Sequence, residues 1–288
     1  MEKTNQKTVF VQHYKPRQFF ILVFLGTWIP FLLCAYYGYY YPNYTQTLTL
    51  IGMLVGLCVP FFVTMYMIYR VHNKYLLNDF YNRLNFRRIR ITYFSFVLLM
   101  MPIVLLIATA ISLLFGGSID QFKMSREYMI LSGTHIISII LLCVVPILEE
   151  LGWRGYGVDS IKEYFNVFNT SCIFAFLWAL WHVPLFFMPG TYHYGLVHSY
   201  SHSWYVVNFF LSVIPATIIL NWLYYKNNRS ITIAVLMHFM FNFCAVVLQT
   251  GQLTKCIMTI VLLLVSGIII VVDKKLFFRD TFFIEDTD

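Results

Sequence analysis

The chain has 288 residues, of which 59% are hydrophobic and only 11% charged, with a mean hydropathy of +0.70 and a net charge of +7. Soluble domains carry about 25% charged residues, so the polar inventory is too small to cover a water-soluble globule of this size. An ordinary soluble enzyme, a disordered regulator and a fibrous repeat are excluded, while an aromatic content of 19% suits lipid-facing helices with interfacial belts.

A spanning helix needs about 20 mostly apolar residues. Runs of that kind occur at roughly 18–40, 47–69, 93–115, 129–150, 168–188, 204–225, 230–248 and 255–273. They predict an all-α, polytopic membrane protein with about eight transmembrane helices, organised as a single membrane-embedded domain over 1–288. The first run is too long for a cleaved signal peptide and lacks the small residues of a cleavage site. Lys and Arg set the orientation: 17 of the 20 fall on one set of alternating segments and three on the other, which places both termini in the cytoplasm.

The segment from Arg70 to Arg90 interleaves Arg87, Arg88 and Arg83 with Tyr81, Leu84 and Phe86. A basic segment beside a span meets anionic lipid first, so an interfacial amphipathic helix is preferred to nucleic-acid binding, and no nucleic-acid partner is expected. The six Cys (34, 58, 143, 172, 244 and 256) lie in or against apolar runs without a Cys-x-x-Cys pair, and are read as buried small hydrophobes.

Ionisable and amide side chains inside spans are costly and mark candidate sites. Three places carry them. Glu149-Glu150-Leu-Gly-Trp-Arg154 closes the fourth run. Glu150 and Arg154 are four apart on one helical face, acid before base, and neutralise each other. Glu149 lies about 100° around the helix with no obvious local partner. It is either a general base or an acid at a helix end that reaches the headgroups. In the fifth run Trp178 and His182 share a face, with Pro184 bending or ending the helix just after; the histidine is either a ligand or a packed, hydrogen-bonded core residue. In the seventh run His238 and Asn242 project from one apolar helix, as interhelical glue or as donors aimed at a site. In the outer loop between the fifth and sixth runs Tyr192, His193, His198, Tyr200 and His202 cluster; an interfacial belt is preferred there to a metal or pH-sensing site. His135, in the fourth span, is read as packing or support for the site.

One carboxylate, two histidines and an amide on three helices form a set that activates water: a base, a group that orients the water, and donors for an oxyanion. The same four side chains, Glu149, His182, His238 and Asn242, would also serve a divalent metal such as zinc. His-Glu-x-x-His is absent.

Glu-Glu-x-x-x-Arg, aromatic-x-x-x-His and His-x-x-x-Asn, in this order on separate membrane helices, resemble the CAAX-protease and bacteriocin-processing (CPBP, Abi) family of membrane proteins. The motifs here are Glu149, Glu150 and Arg154; Trp178 and His182; His238 and Asn242. One departure is visible, since the family usually has Phe where this chain has Trp178. The resemblance implies an intramembrane endopeptidase with its catalytic core at about 129–248. Glu149 and His182 would activate water, His238 and Asn242 would hold the oxyanion, and Glu150, Arg154 and Trp178 would support them. Its partners would be the bilayer and a membrane-associated peptide or protein, lipidated or not, in a bacterial plasma membrane. No cofactor is fixed by this reading, a divalent metal being the alternative to glutamate-based chemistry. A non-catalytic scaffold or bacteriocin-immunity protein on the same fold is the competing function. A transporter ranks third, since no internal pseudo-symmetry is visible.

Drawn with these boundaries, Glu149 falls at the cytoplasmic end of the fourth span and His182 roughly 14 residues, ~20 Å, into the fifth. The motifs meet only if helix four continues past Arg154 toward Gly155 and Gly157, or span five starts later. Both shifts are predicted, with an interfacial helix near 155–168 and one water-accessible cavity open to the cytoplasmic side.

Overall fold

The computed structural model describes residues 14–125, 136–199 and 203–279. The long helices are α1 (Pro16–Tyr40), α2 (Thr45–Tyr69), α4 (Ile91–Leu113), α5 (Ile136–Gly152), α7 (Val167–Trp181), α9 (Trp204–Lys226), α10 (Ile231–Val246) and α11 (Gln252–Val272). Short helices fill the connections: α3 (Lys74–Asn82), α6 (Val158–Lys162), α8 (Tyr192–His198) and α12 (Lys274–Phe278). Among the described residues, every apolar run of the sequence contains a helix. Among the described residues six helices are long and apolar enough to cross a membrane, while α10 is a shorter apolar helix of 16 residues and α5 has 17. The predicted His135, Tyr200 and His202 lie outside the described residues.

Helix starts follow local chemistry. Asn166 Oδ1 accepts from the Asn169 backbone N–H at 2.8 Å and opens α7, and Thr191 Oγ1 accepts from Tyr194 N–H at 3.1 Å and opens α8. Pro16 sits in the first turn of α1, where its missing N–H costs nothing. Outward faces carry lipid-suited Leu99, Ile103 and Leu264, whereas Thr27, Thr64, Ser171, Thr217 and Asn221 are fully buried. Within a bilayer the apolar effect does not drive helices together, so small and hydrogen-bonding residues belong at their interfaces. Helix α5 packs between α2 and α10, and α9 packs on α7, α10 and α11.

The segment after α5 is a widened turn of π type, Trp153–Gly157, that runs straight into α6. Helix four therefore does continue past Arg154, as expected, and Glu149 stands 13 residues before Lys162 on one rod, roughly 20 Å along it. The second expected shift does not occur. Helix α7 starts at Val167, next to the drawn boundary, and residues 158–162 extend the rod instead of forming a separate interfacial helix. Extending the rod alone brings Glu149 level with the far end of α7.

Three glycines let this rod lie against its neighbours. A methyl group on Gly152 would clash with Cβ of Pro60 and fall 2.6 Å from the Pro60 carbonyl carbon of α2. On Gly155 it would meet Phe80 at 2.9 Å and Thr64 at 3.0 Å, and on Gly157 it would meet Phe19 at 2.8 Å. Thr64 Oγ1 donates to the Gly152 carbonyl at 3.0 Å across the same contact. We expect Gly152→Ala to destabilise the protein by about 1–3 kcal/mol, the usual cost of overpacking against backbone. Reversible unfolding in mixed micelles measures this, and wild-type stability in the variant would show that α2 can give way.

The basic end of the bundle holds a buried ionic cluster. Arg83, which the sequence reading left at the lipid surface, is 1% exposed. Its guanidinium reaches Asp79 at 2.9 Å and Asp159 at 2.9 Å, and donates to the Arg154 and Gly155 carbonyls at 2.8 and 2.9 Å. The wide turn frees those carbonyls, and Arg83 satisfies them. Arg229 pairs with Asp159 at 2.5 Å and Asp79 at 3.1 Å. Burial works against charge on Asp159, but Arg229 and then Arg83 outweigh it and hold the carboxyl below its usual range. The remainder of the 74–82 segment is amphipathic as predicted, with Leu76 and Phe80 buried and Tyr75 and Tyr81 exposed. The cysteines are corrected in part: all six are free, but only Cys244 is buried, and Cys143 and Cys172 face outward. A small apolar residue on a lipid-facing surface needs no burial.

Candidate active site

Glu149 and Glu150 occupy the last turn of α5 and are 3% and 0% exposed. Being adjacent, they face different partners. Trp153, one turn on, donates its indole N–H to Glu149 Oε2 at 3.2 Å, and Trp178 of α7 donates to the same oxygen at 3.0 Å. Both indoles fall on Oε2, so Oε1 takes neither. The carboxylate that lacked a partner in the sequence thus has two, one local and one across the helix interface. Trp178 does more than pack: a Phe there has no donor.

Glu150 meets Arg154 in the pair predicted from spacing, with one guanidinium nitrogen at 2.9 and 2.8 Å from the two carboxylate oxygens. Arg154 also donates to Asn221 Oδ1 at 3.1 Å, and Asn221 in turn donates to Ser171 Oγ at 3.0 Å. This chain ties α5, α9 and α7 together. Glu150 Oε1 lies 2.9 Å from His238 Nδ1. A carboxylate only accepts, so that ring nitrogen carries a proton.

His182 stands just past the end of α7, half-buried, with Nδ1 2.7 Å from the Trp178 carbonyl oxygen. The carbonyl again only accepts, so Nδ1 carries the proton and Nε2 of the neutral ring is an acceptor. The Trp178 ring lies between the histidines, with ring centroids 5.9 Å from His182 and 5.3 Å from His238. Asn242 follows His238 one turn later on α10 and is half-buried, without a hydrogen bond to the other three.

The structure therefore brings Glu149, His182 and His238 around the Trp178 indole, and joins Arg154 and His238 through Glu150. Asn242 shares only the helix and face of His238. Among the described residues no three His, Cys, Asp or Glu side chains converge as a metal-binding group. The Nδ1 atoms of both histidines are engaged, which leaves Nε2 of each ring as the nitrogen free to act at the site.

Sequence reasoning missed Trp153, Asn221 and Ser171. Asn221 carried a signal, an amide near the end of the sixth apolar run, and its burial here shows that the signal was usable. Trp153 carried one too, its place four residues after Glu149 on the same helical face.

Comparison with known proteins adds an independent line. A family model described as type II CAAX prenyl endopeptidase, Rce1-like, matches residues 131–244, which contain all the side chains above. The chain is also 39% identical over 267 residues to the "CAAX prenyl protease 2" of Methanococcus maripaludis, covering 92% of this chain and 97% of that protein.

Proposed function

Because the chain belongs to the Rce1-like family of type II CAAX prenyl endopeptidases, and is accordingly an intramembrane peptide hydrolase acting on a membrane-associated substrate, we propose that Glu149 is its general base and His182 its water-orienting partner. The observation that carries this reading is the division of labour at Glu149, where both indoles bond Oε2. A water molecule donating one hydrogen to Oε1 and the other to His182 Nε2 has a lone pair free for a carbonyl carbon. Attack transfers a proton to Glu149 and leaves a tetrahedral oxyanion. Two side chains on α10 are assigned to that oxygen: the Asn242 amide N–H, and His238 through a proton on Nε2. Collapse returns the proton from Glu149 to the leaving amine. Glu150, held by Arg154, fixes the ring plane and tautomer of His238.

The catalytic core is assigned to about 129–248 within a single domain over 1–288, with both termini and the basic end of the bundle on the cytoplasmic side. Seventeen of 20 Lys and Arg support that orientation. The substrate is assigned as a protein or peptide with a prenylated carboxyl-terminal cysteine motif, and the membrane as the plasma membrane. The scaffold alternative is not favoured, because every candidate position keeps a functional side chain and the matching relative is named as a protease.

The test is cleavage of a farnesylated carboxyl-terminal peptide and of the same peptide without lipid, by purified protein in liposomes. Cleavage of the farnesylated peptide at least tenfold faster, unaffected by chelator, is expected. Equal rates would overturn the prenyl assignment, and activity lost to chelator and restored by zinc would overturn the glutamate mechanism.

A further inference from the structure

Among the described residues, His193 is a titratable side chain beside this site that the mechanism leaves unused. The sequence places it in an outer interfacial belt, and its neighbour His198 fits that description, exposed and stacked on Tyr194 at 3.8 Å. His193 does not. Gly190 takes a left-handed φ of +86°, Thr49 Oγ1 donates to the Pro189 carbonyl at 2.6 Å, and Thr191 Oγ1 lies 2.7 and 2.9 Å from the Leu185 and Met188 carbonyls. These bonds fold α8 back over the end of α7. The His193 ring then packs edge-on to Phe209 at 4.5 Å and Phe186 at 5.2 Å, with the His182 ring 5.5 Å away. His193 Nε2 is buried and has no hydrogen-bond partner in the protein.

A buried ring nitrogen without a partner opposes folding, and such exceptions are few in native proteins. If the position served packing alone, Phe would fill the same aromatic niche without that penalty. Burial first, and His182 second, push the pKa of His193 well below the ordinary histidine range, so the ring is neutral and offers one donor and one acceptor. No hydrogen bond links it to His182, whose Nδ1 is on the Trp178 carbonyl.

We propose that His193 is a positioning residue of the hydrolytic site: its Nε2 holds a small hydrogen-bonding group within reach of His182, either a water beside the nucleophile or a peptide unit of the bound substrate. The assignment rests on the reading of His182 as the water-orienting histidine. It places the outer connection, and not only the spanning helices, in the active site.

The test compares wild type, H193F and H193Q in peptide hydrolysis, with melting temperatures recorded for each. H193F keeps the aromatic packing and deletes the nitrogen, whereas H193Q restores a polar atom. A tenfold or greater loss of kcat/KM in H193F, with most of it recovered in H193Q, is the expected result. A rise in KM at steady kcat identifies the bound group as a peptide unit, and a fall in kcat at steady KM identifies it as water. Wild-type kinetics in H193F, or equal losses in both variants, would overturn the proposal. If H193F does not fold, H193M against H193Q decides on the same criterion. E149Q is carried in parallel: activity surviving there sinks the general-base assignment, while the histidine comparison keeps its own readout.

Discussion

Glu149→Gln is expected to lower kcat for peptide hydrolysis by roughly 10³-fold, within the range of about 10²–10⁴ that a positioned general base supplies. The amide is nearly isosteric, and its oxygen can still accept from the Trp153 and Trp178 indoles that bond Glu149 at 3.2 and 3.0 Å. The Glu150–Arg154 pair is untouched. Fold and melting temperature should therefore stay close to wild type, which separates lost chemistry from lost structure. In the same series Trp178→Phe removes one of two donors to the carboxylate. Hydrogen bonds to charged groups contribute about 1.5–3 kcal/mol, so a loss of roughly tenfold is expected in the Phe variant. Turnover of Glu149→Gln within tenfold of wild type would remove Glu149 from the base role and turn attention to His182.

The largest effect on stability is expected at Arg154. It is 0% exposed and joined to Glu150, also 0% exposed, at 2.8 Å. Breaking a buried pair by removing one partner typically costs about 3–5 kcal/mol, because the other charge stays in a medium that cannot solvate it. Arg154→Met should show a loss of that order in mixed-micelle unfolding. Converting Glu150 to Gln in the same chain removes the stranded charge, so the double variant should be more stable than Arg154→Met alone. Simple additivity of the two single losses, within ~0.5 kcal/mol, would mean that the two residues are not coupled. Activity should remain low even where stability recovers, because His238 Nδ1 has then lost the carboxylate that orients it.

What could be read from the sequence depended on the range of the interaction. Hydropathy located the long helices, six of them among the described residues long and apolar enough to span, because each is a local property of its own residues. The pairing of Glu150 with Arg154 was legible because both sit on one helix, where a spacing of four fixes the face. The bond between Trp178 and Glu149 was not, since it joins residues 29 apart on separate helices. Arg83 shows the same limit in the other direction. Its neighbours in sequence are basic and aromatic, which reads as a lipid-surface segment, yet, Asp79 apart, its partners lie more than 70 residues away, most of them on the rod of α5 and α6. His193 was misread because its direction is set by a turn at Gly190 and by Thr49 on a distant helix. The conflict in depth between Glu149 and His182 was visible in the sequence as an inconsistency. Its resolution needed a wide turn that no residue pattern announced, although the glycines at 152, 155 and 157 mark where the backbone comes close to its neighbours.

The wide turn at Trp153–Gly157 also acts as a ruler. Glu149 is committed to Trp178 above it, and Asp159 is committed to Arg83 and Arg229 below it. On a helix each residue added or removed turns everything beyond it by about 100° and shifts it by about 1.5 Å. Shortening the turn by one residue would give a more regular helix and still pull the rod out of register at one end or the other. The stretch from 149 to 159 can therefore vary in its side chains far more freely than in its length, and a change of length there disables the enzyme without touching a residue that meets the substrate.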